Sequence, residues 1–246
     1  MKFSQMVYER PDLEKIKQQL TELTDSLEKA ESYEEAKKVF LEEDVFCRHV
    51  ETLSTLANIR HTIDTRDLFY DEEMNFWNGA EPVLKEYLQK WNETLLNSRF
   101  RPEFEKEYGT LMFVKTEMEL KTFSPEIIPE LQKENELKTA YEKLLASAQI
   151  PFEGNTYTLS QLTPFKNDAD DERRLAAWKA EGQWYKENQE EFDRLYDELV
   201  HVRDTMGRKL GYDGFTELGY YRMQRNCYTK KDVEKFREAV VKSVSY

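Results

Sequence analysis

Apolar residues recur along this chain at steps of three and four, and that spacing predicts helices almost throughout. Leu13, Ile16, Leu20, Leu23 and Leu27 form one stripe on an otherwise polar segment that Pro11-Asp12 opens. The heptads stop near Ser32, so the stripe is read as packing on a neighbouring helix, not as a free coiled coil. Ser32 followed by Glu35 is a capping-box pattern and predicts a long second helix, with Val39, Phe46, Val50, Leu53, Ala57 and Ile63 on its buried side. A third helix is expected near Asp71-Glu72-Glu73, whose acids suit a helix start. Its face is Met74, Trp77, Leu84, Leu88, Trp91 and Leu95, and Pro82 predicts a kink or break near Gly79-Ala80. Phe104 to Phe123 reads as a fourth helix.

Ser124-Pro125-Glu126 is a further start signal, and Pro129 so soon after it suggests two short turns that merge. Leu131, Leu137, Tyr141, Leu144 and Leu145 then carry an apolar face to about Ser147. Ile150 to Leu159 breaks the pattern. Gly154-Asn155 lies between short runs rich in β-branched and aromatic residues, which predicts a tight hairpin. Ser160 is the expected cap of a short helix after it. Helical spacing resumes from Asn167-Asp168 through Leu175, Trp178, Phe192, Leu195, Tyr196, Leu199 and Met206, with Gly182 as the expected interruption. Gly211 is the stop, because glycine takes the left-handed conformation at no steric cost. A short helix to Gly219-Tyr220-Tyr221 follows. A last one, capped by Thr229 and Asp232, carries Val233, Phe236 and Val240 and is still amphipathic at Tyr246.

Composition agrees with a nearly all-α chain. Its 246 residues hold 8 glycines and 7 prolines, where average usage would give about 17 and about 12. The net charge of −13, from 36 basic and 49 acidic residues, disfavours nucleic acid and anionic membranes as partners, since both select basic surfaces. The two cysteines, Cys47 and Cys227, are too few for a disulfide framework and are expected as free thiols in a reducing cytoplasm. Residues 1–6 lack the apolar core of a signal peptide, and no apolar run nears the roughly 18 residues of a membrane span.

Candidate chemistry is sparse. The histidines are His49, His61 and His201, and none opens a His-Glu-x-x-His motif. His49 and His61 are twelve residues apart, about 120° around an ideal helix. Cys47 and His49 have a spacing that does not share a helix face. A buried Cys47 and histidines on the polar surface are expected, without a metal site. Cys47 or Cys227 with His201 has no local signature of a nucleophile pair, and no glycine-rich phosphate loop is present. Acid pairs such as Glu34-Glu35, Glu42-Glu43 and Asp170-Asp171 read as solvated helix faces. Tyr212, Phe215, Tyr220, Tyr221 and Tyr228 crowd one stretch, and either core packing or a peptide-binding wall accounts for them.

Three stretches carry a family resemblance: Phe152 to Leu159; Asp170 to Trp178, with Arg173, Arg174 and Ala177; and Arg203 to Tyr221, with Gly207, Gly211, Gly214 and Gly219. Together with the capped helix from Thr229 and the leucine-rich helices before residue 148, they resemble the oligoendopeptidase F group of zinc metallopeptidases, relatives of thimet oligopeptidase, and particularly the Pz-peptidase type. The resemblance implies long antiparallel helices with one small hairpin, in a two-lobed fold that encloses a channel for short peptides. Residues 1–147 would be the N-terminal helical lobe, 148–170 the hairpin and connector, and 171–246 the start of the peptidase core. In that family zinc is held by the two histidines of His-Glu-x-x-His and by a glutamate on the next helix, and the motif glutamate activates a metal-bound water. All lie downstream of the part represented here. The implied zinc is therefore bound by residues absent from this chain, and no residue of the chain inherits a catalytic, cofactor-binding or metal role. The implied partners are short peptides and the C-terminal half of the enzyme. The alternative is a stand-alone helical binding or scaffold module without catalysis.

Overall fold

The computed structural model describes residues 3–244. Among them are eleven α-helices: α1 (Leu13–Lys29), α2 (Tyr33–Ile63), α3 (Leu68–Leu96), α4 (Arg101–Tyr108), α5 (Thr110–Glu119), α6 (Ile128–Ala146), α7 (Leu159–Lys166), α8 (Asp171–Glu187), α9 (Gln189–Lys209), α10 (Phe215–Arg222) and α11 (Lys230–Val244). One antiparallel pair, β1 (Ile150–Phe152) and β2 (Asn155–Tyr157), lies between α6 and α7. The all-α class with a single hairpin is thus as the spacing predicted. The chain packs as two compact units, each assembled from three separate stretches.

One unit comprises Asp12–Cys47, Val83–Ile127 and Thr205–Tyr246. Asp12 caps α1 by accepting from the amides of Glu14 and Lys15. The α1 stripe is buried at Ile16, Leu20, Leu23 and Leu27. Leu23 and Leu27 join Ala36, Trp91, Leu95, Phe104 and Phe113 in one core. Phe104 is its centre, with Tyr33 and Phe40 ring centroids at 5.1 and 5.3 Å. The capping box of α2 differs from expectation by one residue. Ser32 Oγ accepts from the Glu35 amide at 3.3 Å, but the Glu35 carboxylate accepts from the Glu31 amide, not from Ser32. The expected fourth helix is two, because Gly109 at φ +88° separates α4 from α5.

The other unit comprises Met1–Pro11, Arg48–Pro82 and Ile128–Asp204. Here α3 starts earlier than its acids suggested: Asp67 accepts from the amides of Phe69 and Tyr70 and serves as the cap. Pro82 neither breaks α3 nor ends it. Proline leaves the carbonyl four residues back without a helical donor, and Asn135 of α6 supplies one, its Nδ2 donating to Asn78 O at 3.3 Å. Gln132 donates to the next carbonyl, Gly79 O, at 2.9 Å. The 3₁₀ turn Pro125–Ile127 runs straight into α6, so the two expected turns do merge.

The hairpin turn is Glu153-Gly154, one residue earlier than Gly154-Asn155, because Phe152 pairs with Asn155. Both turn residues have positive φ, +47° and +78°, as a two-residue hairpin turn requires. Arg173 forks onto the Glu153 carboxylate at 2.8 and 2.7 Å and holds this non-glycine residue there. Thr158, not Ser160, caps α7 in a complete capping box with Gln161. Ile150, Phe152, Leu162, Ala177 and Trp184 pack the hairpin on α7 and α8. Gly182 does not interrupt α8; the helix runs to Glu187, with Asn188 as its C-cap.

Candidate functional site

The histidines and cysteines fall at separate places. His49 is exposed on α2. His201 is exposed on α9, with Nδ1 2.8 Å from Asp197 O. His61 contradicts the expectation of a surface histidine, for it is completely buried. Its Nε2 lies 3.3 Å from Asp71 Oδ1, and Lys143 pairs with the same carboxylate oxygen. The ring closes the last turn of α2 against the start of α3, and the Asp71–Lys143 pair supplies polar company there. Cys47 is half-buried instead of fully buried, and its thiol donates to Glu43 Oε1 at 3.0 Å. Glu43 is buried, and that burial holds its carboxyl above the usual range. Cys227 is exposed. Among the described residues no group of three or more His, Cys, Asp or Glu is arranged to hold a metal ion. The donor set for the implied zinc is therefore not met here.

The crowded aromatic stretch is built from the backbone outward. α9 ends in a Schellman turn: the Tyr212 amide donates to Gly207 O at 3.0 Å and the Gly211 amide to Arg208 O at 3.0 Å, with Gly211 at φ +86°. A β-carbon at Gly207 would run into the carbonyl oxygen of Gly214, so this glycine is what lets the following loop lie on the helix. α10 then starts at Phe215 and buries Leu218 and Gly219. Its aromatic rings form neither a dry core nor a bare apolar wall. Tyr212, Phe215, Tyr220 and Tyr221 are half-buried and Tyr228 is exposed. The Tyr212 and Tyr221 rings lie 5.9 Å apart, tilted by 40°, and the Tyr212 hydroxyl donates to Lys121 O at 2.8 Å. Cations cover the faces: Lys121 lies 5.0 Å over Tyr221, and Arg225 lies 4.4 Å over Tyr220 and 5.5 Å over Tyr228. Burial first, then Tyr221 and Glu217, raise the Tyr212 phenol, while burial and Glu217 raise that of Tyr221. Both stay protonated and able to donate at neutral pH. In an acidic chain this is a local aromatic and cationic surface, suited to backbone carbonyls and carboxylates. The bare sequence signalled its aromatic half; Lys121 comes from a distant stretch and was missed, as was Arg225, which lies between Tyr220 and Tyr228 in sequence.

A second concavity, of about 270 Å³, lies among α2, α3 and α6 and is lined by Asn58, Trp77, Asn78, Asn135, Lys138 and Glu142, among others. Asn78 donates to Thr139 Oγ1 at 2.9 Å at its buried end. The lining offers amides and hydroxyls for hydrogen bonding.

A family model described as the peptidase M3 N-terminal domain matches residues 3–123. Among curated proteins none matches. Pz peptidase A, solved with an inhibitor, is 41% identical, and the match covers 98% of this chain and 43% of that one with a TM-score of 0.93. A structure described as an oligoendopeptidase F is 41% identical over 99% of this chain and 43% of its own, with a TM-score of 0.94. Another, from Bacillus anthracis strain Ames, is 40% identical over 98% of this chain and 44% of its own, also at 0.94. The chain thus spans less than half the length of each of these structures. Identity at this level, held across nearly every residue described, carries family as well as fold, and the chain belongs to the oligoendopeptidase F and Pz-peptidase family of M3 peptidases, as its N-terminal part.

Proposed function

We propose that this chain is the N-terminal part of a zinc-dependent oligoendopeptidase that hydrolyses internal bonds of short peptides, and that it supplies part of the substrate channel. The observation that carries the reading is the 41% identity to Pz peptidase A, over 98% of this chain. In this reading residues 1–147 form the N-terminal lobe, 148–170 the hairpin and connector, and 171–246 the start of the peptidase core. In this reading the zinc ligands come from the longer portion of the relatives that this chain does not span. The surface of Tyr212, Tyr220, Tyr221 and Arg225 is then the chain's contribution to peptide binding, through phenol donors and guanidinium groups that suit carbonyls and a terminal carboxylate. The enzyme works in the cytoplasm, in keeping with the free thiols of Cys47 and Cys227. No helix of the described residues is long and apolar enough to cross a membrane.

The test is metal retention. The chain is mixed with the separately made C-terminal portion of a Pz-peptidase-type relative, dialysed and analysed for zinc. Zinc should be retained by the complex and not by this chain alone. A stable complex that holds no zinc would count against the reading, as would tight zinc on the isolated chain.

A further inference from the structure

Residues 6–10 lie outside any helix or strand and cross the end of α2 and the start of α3. Tyr8 and Arg10 both reach one carboxylate, that of Glu73. The Tyr8 hydroxyl donates to Glu73, and Arg10 forks onto it with Nε at 3.0 Å and Nη2 at 2.7 Å. The receiving side is built from aromatic and polar groups of α2 and α3. Trp77 donates its indole N–H to the Tyr8 hydroxyl at 3.1 Å, and Phe69 and Tyr70 flank the Tyr8 ring at 6.1 and 6.0 Å. Phe76 lies under the Arg10 guanidinium at 5.1 Å, and Arg60 donates to the Met6 carbonyl. Burial is unequal across this contact. Glu73 and Trp77 are 2% exposed, whereas the intervening Val7 is 83% exposed and the Arg10 side chain 46%. With the segment in place the Glu73 carboxylate is out of water, and the segment supplies the charge that acid needs, with little apolar anchoring of its own.

A buried carboxylate without a partner is costly, so such a groove selects for a cation, and its fork geometry selects arginine over lysine. The spacing of two residues puts tyrosine and arginine on one side of an extended chain. We propose that the end of α2 and the start of α3 form a recognition groove for unstructured segments carrying Tyr-x-Arg, filled in this chain by its own residues 6–10 and open to the same sequence supplied in trans. The inference is independent of the peptidase reading.

The experiment uses the full chain with Tyr8→Ala and Arg10→Ala, and a fluorescent peptide of residues 5–11 followed by anisotropy. Saturable binding is expected. It should weaken at least about tenfold when the peptide's arginine becomes lysine, or when Glu73→Gln is added to the chain. The unsubstituted chain, whose groove is filled, should bind the peptide at least about tenfold more weakly than the double variant. Absence of saturable binding to the double variant, binding indifferent to Glu73→Gln, or equal binding by the unsubstituted chain would overturn the proposal. If the double variant shows no cooperative melt, Arg10→Lys, which keeps the charge and loses the fork, takes its place under the same criteria.

Discussion

At the residue scale, Glu73 is the most instructive group. Burial alone would raise its carboxyl, but the Arg10 fork and the Tyr8 hydroxyl outweigh burial and hold it below the usual carboxylate range. A carboxyl depressed in the folded state contributes stability that is present above its unfolded pKa, about 4.3, and lost as pH falls through the folded value. Urea unfolding at neutral pH should therefore find Glu73→Gln less stable than the parent by about 1–3 kcal/mol, and the gap should close as pH falls below about 4. A gap independent of pH would mean that the charge of Glu73 contributes nothing. Sequence reading assigned Glu73 to a helix start with Asp71 and Glu72, since three consecutive acids look alike until Arg10 and Tyr8 arrive from 63 and 65 residues away. His61 was misjudged for the same reason: its Asp71 and Lys143 neighbours are distant in sequence. The start of α1 was legible to within two residues: Pro11-Asp12 was read as the opening, and Asp12 is the cap, acting on amides two and three residues on, with Pro11 just outside the helix.

At the element scale, the helices were legible because each carries an apolar stripe with the helical period, buried or not, and their ends were legible only where the stop is local. Gly211 stands where the Schellman turn needs it. Gly182 looked equally able to interrupt a helix, yet nothing forces φ positive there, and α8 runs on to Glu187. Pro82 is the clearest case of tertiary structure overriding a local rule. Its cost is a lost helical bond, and α6 offsets this through Asn135. Asn135→Leu should destabilise the chain by about 1–3 kcal/mol, because the Asn78 carbonyl would lose its donor. In a Pro82→Ala background, where a backbone N–H can reach that carbonyl, the same substitution should cost roughly 1 kcal/mol less. Denaturant melts of the four chains give the coupling. Additive effects would show that Asn135 acts elsewhere.

At the scale of the whole molecule, the striped helix that stands apart is α11. Phe236 is 69% exposed and Val241 62%, and α11 contributes no buried residue. Covering each large side chain would be worth about 1.5–3 kcal/mol, so such a face favours association. The isolated chain should bind a hydrophobic dye. Phe236→Glu with Val241→Glu should remove most of the signal, as should addition of the C-terminal portion of a relative. Undiminished dye binding in the double variant would locate the apolar patch elsewhere. Family membership was legible in the glycines and aromatics from Arg203 to Tyr221, because close backbone approaches such as that of Gly207 to Gly214 restrict residue choice. Lys121 was not legible, since it joins those rings only in three dimensions; Arg225 stands between Tyr220 and Tyr228 in sequence, but spacing alone does not place its guanidinium over their faces. The proposed role of this chain as the N-terminal part of a peptide-cleaving enzyme is tested most directly by cleavage itself. A quenched short peptide is incubated with the chain, with the C-terminal portion of a Pz-peptidase-type relative, and with both, and the products are sized by mass spectrometry. The account predicts cleavage of an internal bond only by the mixture, abolished by chelation and restored by zinc. A folded, stably associated mixture that leaves the peptide intact would contradict it.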